Sequence, residues 1–123
     1  MFKATLAALC VAFFALQAHA NEPQVGTGLV CDTGEQAIMF ASLYDEKGAA
    51  AVQAVNDNAK DPMACLVATV ALVKIEVLAT AKVAGRDVEI TKVLVIGIVD
   101  EGRLTPTPPK EFYMLFPAAG FPA

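Results

Sequence analysis

Val88-Glu89-Ile90-Thr91-Lys92-Val93-Leu94-Val95-Ile96-Gly97-Ile98-Val99 is the stretch on which the fold turns. Its β-branched residues favour an extended chain, so it is read as a strand. In the first part Val88 and Ile90 alternate with Glu89 and Thr91, the pattern of a sheet with one wet face. From Val93 the pattern changes. Val93, Val95 and Val99 would lie on one side and Leu94, Ile96 and Ile98 on the other, so both faces are apolar. Such a strand must be covered on both sides, or its sheet must curl over itself toward a small barrel. Left open, it is an aggregation hazard.

The neighbouring segments extend the sheet. Upstream, Ala84-Gly85-Arg86-Asp87 reads as a tight hairpin preceded by a strand over Val77–Val83, a bend at Lys74-Ile75-Glu76 and a strand over Ala64–Val73. Downstream, Asp100-Glu101-Gly102-Arg103 turns the chain, a proline-rich crossing follows, and Lys110–Phe116 forms the last strand. Loops this short leave no room for crossover helices, so the four strands are expected to be antiparallel.

The preceding segment has helical periodicity. Asp32 or Thr33 can cap a helix, with an acid or amide three residues later, and Ala37, Phe40, Ala41 and Tyr44 form one stripe with Leu43 beside it. Gly48 interrupts, Ala49–Asn56 resumes, and Asn56-Asp57-Asn58 with Asp61-Pro62 ends the run. The expectation is a helical hairpin, or one bent helix, over Thr33–Asp57. The fold class is therefore α+β: an N-terminal helical pair packed on a four-stranded antiparallel sheet, with curling toward a small barrel as the alternative to a second cover. That cover could come from Phe112, Tyr113 and Phe116, from the tail, or from a second copy in a homodimer. One domain is expected over residues 31–117, after a mobile lead-in at 21–30 and before a tail at 118–123; Gly28–Cys31 is a short extended piece.

The chain has 123 residues and is 56% hydrophobic, but Met1–Ala20 distorts that figure. Lys3 precedes an apolar run from Leu6 to Leu16, and Ala18-His19-Ala20 fits the small-x-small cleavage rule, so residues 1–20 read as a cleavable export signal. The run is shorter than the roughly 20 apolar residues of a membrane span, so no transmembrane anchor is expected in the mature form. Cleavage removes the one histidine, Cys10 and Lys3, leaving eight basic against 13 acidic side chains, a net −5. Without imidazole there is no Ser-His or Cys-His triad, no histidine-ligated haem and no histidine zinc site. Without clustered Lys and Arg there is no nucleic-acid footprint. The two remaining cysteines, Cys31 and Cys65, stand 34 positions apart; in an oxidising compartment they are expected to form a structural disulfide. A redox-active pair would instead sit as Cys-x-x-Cys.

Candidate sites are few. Ser42 is the one serine, in mid-helix, with no base to activate it. Asp45-Glu46 and Asp100-Glu101 are neighbouring carboxylates, expected to mark a helix end and a turn; a glycosidase needs two acids facing each other across a cleft. Asn56-Asp57-Asn58 with Asp61 lacks the glycine and glutamate of an EF-hand loop, so it reads as a cap and turn, and no metal or cofactor is expected. Thr105-Pro106-Thr107-Pro108-Pro109 is a stiff connector or a docking strip. Alternation buries Phe112, Met114 and Phe116 and exposes Tyr113. If there is a recognition surface, Pro106, Pro108, Pro109, Tyr113 and Phe121 are the first candidates.

Cys31-Asp-Thr before a short helix, Ala64-Cys-Leu-Val-Ala-Thr-Val70 and the closing Phe112-Tyr-Met-Leu-Phe116 together resemble small exported proteins of unknown function in Gram-negative bacteria. The resemblance implies a periplasmic or secreted location and the Cys31–Cys65 bridge, and no activity. The functional expectation is a non-enzymatic binding or interaction module for a periplasmic protein or envelope component. The alternatives are a small carboxylate-dependent hydrolase of envelope polymers and a redox sensor built on the two cysteines.

Overall fold

A computed structural model describes residues 22–118. The export signal and Phe121 lie outside the described residues. The elements run β1 (Gln24–Cys31), α1 (Gly34–Lys47), α2 (Ala50–Ala59), β2 (Cys65–Val83), β3 (Arg86–Asp100) and β4 (Arg103–Pro117). The fold is α+β, with two helices against one antiparallel sheet of four strands.

Two strands differ from expectation. Gln24–Cys31, most of it expected to be a mobile lead-in, pairs residue for residue with Leu72 back to Cys65. Its apolar content is too low to mark it as a strand alone. Conversely, the two strands expected over Ala64–Val73 and Val77–Val83 are one strand, β2, which begins at Cys65. The expected bend between them is a run of register shifts against β3 at Ala71/Leu72, Lys74/Glu76 and Val77/Ala79, which coil the strand without ending it.

The proline-rich crossing is likewise absorbed into β4. Pro106 pairs with Gly97, and the next pair is Lys110 with Val95. Thr107, Pro108 and Pro109 therefore face Ile96 alone. Proline has no N–H for the ladder, so the strand bulges around the pair and resumes beyond it.

These irregularities curl the sheet. Hydrogen bonding runs in a ring, β1-β2-β3-β4, and returns to β1 through the two pairs Val30–Met114 and Cys31–Tyr113. The concave side holds Val30, Val70, Leu72, Val93, Val95 and Met114, with Ala68, Phe112 and Phe116 against them. The helices cover part of the convex side, where Ala37, Phe40, Ala51 and Val55 meet Leu29, Cys31, Cys65 and Ile90. The concave face of β3 is thus covered by the sheet itself and its other face by the helices near Ile90, while Leu94 and Ile96 farther along stay partly exposed.

The bulge also corrects the face assignment in β3. Ala71 pairs with Gly97 but Leu72 with Val95, so Ile96 is the extra residue. Beyond it the alternation is inverted. Ile98, paired with Val70, joins Val93 and Val95 on the concave side, while Val99 moves to the other.

Local chemistry fixes the ends. Thr33 caps α1 reciprocally: its Oγ1 accepts from the Gln36 N–H at 3.2 Å and its own N–H donates to Gln36 Oε1 at 3.0 Å. The stripe residues Ala37, Phe40 and Ala41 are buried, and the Phe40 and Tyr44 rings lie 5.5 Å apart. Asp45 Oδ1 accepts the Ala84 N–H at 2.8 Å, tying the end of α1 to the β2–β3 hairpin. Both hairpins turn through two left-handed residues, Ala84–Gly85 and Glu101–Gly102, as twisted strands require. Glu101 carries a side chain at φ 51°, where asparagine is better tolerated. Glu101→Asn is expected to raise stability by about 0.5–1 kcal/mol, read as a higher thermal midpoint; an unchanged or lowered midpoint would show that Glu101 has a compensating role.

Candidate functional site

At the end of the ring where β2 begins, the concave face opens into a recess of about 200 Å³. Its floor and walls are Val30 from β1, Leu66, Ala68 and Val70 from β2, Val95 and Ile98 from β3, and Phe112 from β4. Met63 and Asp32 form part of the rim. Pairing explains why these side chains converge. Val30 lies opposite Leu66, Val70 opposite Ile98 and Val93 opposite Phe112, and partners in an antiparallel ladder project to the same face.

The recess stays open because small residues line part of it. Ala68 and its partner Gly28 put almost no side chain into it, and a Cβ built on Gly28 meets nothing within 4 Å. Met63 and Ile98 remain 64% and 48% exposed at the mouth, an apolar rim in contact with water. Asp32 is the one ionisable residue in the lining, and its carboxylate has no hydrogen bond or ion pair among the described residues. Lys110 stands nearby on β4, its ammonium 5.1 Å from the centre of the Phe112 ring.

The start of β2 is held by two devices. Cys31 and Cys65 are direct partners in the β1–β2 ladder, Cα atoms 4.1 Å apart, and their sulfurs are bonded. The bridge therefore lies within the sheet and closes the base of the helical hairpin. The reason is the unforeseen length of β1, which brings Cys31 alongside β2. The second device is Asn56, on the last turn of α2. Its Oδ1 accepts the Cys65 N–H at 2.8 Å, and its Nδ2 donates to the Cys65 carbonyl at 2.9 Å and to the Pro62 carbonyl at 3.1 Å. One amide side chain thus takes the place of a neighbouring strand at Cys65.

The residues singled out from the sequence do not gather on one surface. Pro106, Pro108 and Pro109 are exposed on the outer half of β4. Tyr113 is half-buried, packed against the helix-side core near Gly34, instead of exposed as alternation suggested. Phe112, Met114 and Phe116 do share the concave side, with Met114 fully buried. Tyr113 and Pro109 are four residues apart along a strand, about 13 Å.

Other candidates resolve into structure. The Ser42 hydroxyl donates back to the Met39 carbonyl at 2.8 Å. Asp45 is engaged at the β2–β3 hairpin, whereas Asp100 and Glu101 are at the β3–β4 hairpin, the opposite end of β3. Asp61 Oδ1 accepts the Met63 N–H at 2.9 Å, and Lys60 ends α2 in a left-handed cap, as a cap and turn require. Among the described residues no three His, Cys, Asp or Glu side chains are grouped to hold a metal, and no helix is long and apolar enough to cross a membrane. The recess itself was not legible in the sequence, because five separate segments build it and the bulge at Ile96 turns one wall. No protein-family model, curated protein or solved structure matches this chain.

Proposed function

We propose that the protein is an exported, non-enzymatic interaction module, working in the periplasm or outside the cell, that holds a partner protein or envelope component in the recess at the mouth of its ring. The recess carries the reading: an apolar hollow edged by water-exposed Met63 and Ile98 is the kind of surface that partners cover. The leader pattern in Met1–Ala20 and the Cys31–Cys65 bridge support an oxidising compartment. The two neighbouring carboxylate pairs, Asp45-Glu46 and Asp100-Glu101, stand toward opposite ends of β3 and do not face each other across one cleft, which favours this reading over the hydrolase alternative.

The oxidised mature chain, immobilised and exposed to periplasmic extract, is expected to retain a partner at native abundance. Ala68→Phe, which fills the recess, is expected to abolish retention while leaving the melting curve cooperative. Retention of nothing, or equal retention by the filled variant, would count against the reading. Mass spectrometry of natively produced protein is expected to show Asn21 as the first residue and both thiols protected from alkylation without reductant. An N-terminal Met1 or two free thiols would remove the export claim.

A further inference from the structure

Backbone groups of successive strand residues point to opposite edges. Cys65 directs its N–H and C=O to Asn56, so these point away from β1. Val67 shares that edge. β3 joins the same edge only from the Val70–Ile98 pair onward. Among the described residues the backbone of β2 beside Val67 is therefore an open strand edge, two residues beyond the point where Asn56 already imitates a neighbour. It adjoins the recess, whose wall is formed by Leu66, Ala68 and Val70 of the same strand.

We infer that this edge and the recess together bind an extended peptide segment of a partner protein, added as a strand beside Leu66–Val70, with one bulky apolar side chain in the recess and a basic residue two positions from it. The inference rests on the interaction-module reading and names the partner's chemistry. Three observations specify it. A strand added at this edge turns alternate side chains to the face of Leu66, Ala68 and Val70, so one of them enters the hollow. The volume of about 200 Å³ is slightly larger than a roughly 150 Å³ cavity that holds benzene, so it admits one ring or one branched side chain and excludes a whole lipid. At the Leu66 end of the recess stands the Asp32 carboxylate, in a chain of formal net charge −4, which favours a basic group two positions from the anchor. Strand addition supplies main-chain hydrogen bonds for affinity, and the recess supplies selection of one side chain.

The probe is a labelled seven-residue peptide with phenylalanine at its centre, a lysine two positions away on either side and threonine or valine at the remaining positions. It is titrated into the oxidised mature chain and followed by fluorescence anisotropy. Saturable binding is expected. Replacing the phenylalanine by alanine, or both lysines by glutamates, is expected to weaken it at least tenfold and fivefold respectively. In the protein, Ala68→Phe fills the recess. Val67→Pro removes only an N–H directed at the open edge, a change edge strands accept, so the fold is retained. Each is expected to weaken binding at least tenfold, with melting curves confirming the fold. Binding unaffected by Val67→Pro overturns strand addition, and tighter binding of the glutamate peptide overturns the charge assignment. Sedimentation of the free chain as a dimer that Ala68→Phe dissociates would assign the recess to a second copy and overturn the peptide inference. Absence of peptide binding alongside extract retention that Ala68→Phe abolishes overturns the inference alone and leaves the interaction module standing. Loss of both removes both.

Discussion

Replacing Cys31 and Cys65 together by alanine, or reducing the bridge, is expected to cost about 3–4 kcal/mol of folding stability. The bridge closes a loop of sequence separation 34 that contains the whole helical hairpin. In the folded protein the β1–β2 ladder already aligns the two cysteines, so the bridge adds little order there. Its effect falls on the unfolded chain, which regains the freedom of that loop once the sulfurs part. Both cysteines are almost completely buried against the helix-side core, so alanine also removes some packing. In a domain of about 100 residues the thermal midpoint should fall by roughly 15 °C or more. Urea denaturation of oxidised and reduced protein checks the figure, and equal midpoints would show that the bridge is not the staple of this fold. The redox-sensor alternative meets the same experiment. A structural bridge should also resist a dithiol buffer poised near the thioredoxin potential, whereas a sensor should be reduced by it.

Asn56→Ala is expected to cost about 2–4 kcal/mol, a large effect for a half-buried polar residue on a helix. The side chain makes three hydrogen bonds to Pro62 and Cys65, at the point where the helical hairpin hands the chain back to the sheet. Alanine leaves the Cys65 N–H and C=O, both part-buried, with no donor or acceptor in place. Asn56→Asp is the stricter test. It keeps the size and can still accept from the Cys65 N–H, but it turns a carboxylate oxygen toward two carbonyl oxygens and has nothing to donate. The aspartate variant is therefore expected to lose about as much as the alanine variant, by urea midpoint. If it stays within about 0.5 kcal/mol of the parent, the bonds to the two carbonyls contribute little and the account is wrong. Loosening this joint should also free the start of β2, including the edge proposed to receive a peptide.

The reach of the sequence can be judged at these same residues. Thr33, Gln36 and the stripe through Ala37, Phe40 and Ala41 act over one or two helical turns, and the structure places them as their periodicity implies. The two hairpin turns are equally local. Asn56 was legible as a helix breaker but not as a partner of Cys65, because a side chain bonding nine positions away leaves no periodic trace. Pro106, Pro108 and Pro109 were legible as stiff chain, yet the pairing of Pro106 with Gly97 and the bulge of Thr107, Pro108 and Pro109 opposite Ile96 are set by the register of β4 against β3.

By itself the sequence determined the α+β class, the helical hairpin, the antiparallel order and the pairing of Cys31 with Cys65, since each follows from local pattern or from the expectation that Cys10 leaves with the leader. Only the tertiary structure decided that Gln24–Cys31 is a strand, that the sheet closes into a ring of hydrogen bonds, and that an apolar recess opens where the ring begins. The physical reason lies in register. A single extra residue at Ile96 exchanges the faces of everything beyond it, and such a shift is set by the fit between strands, which no one segment contains.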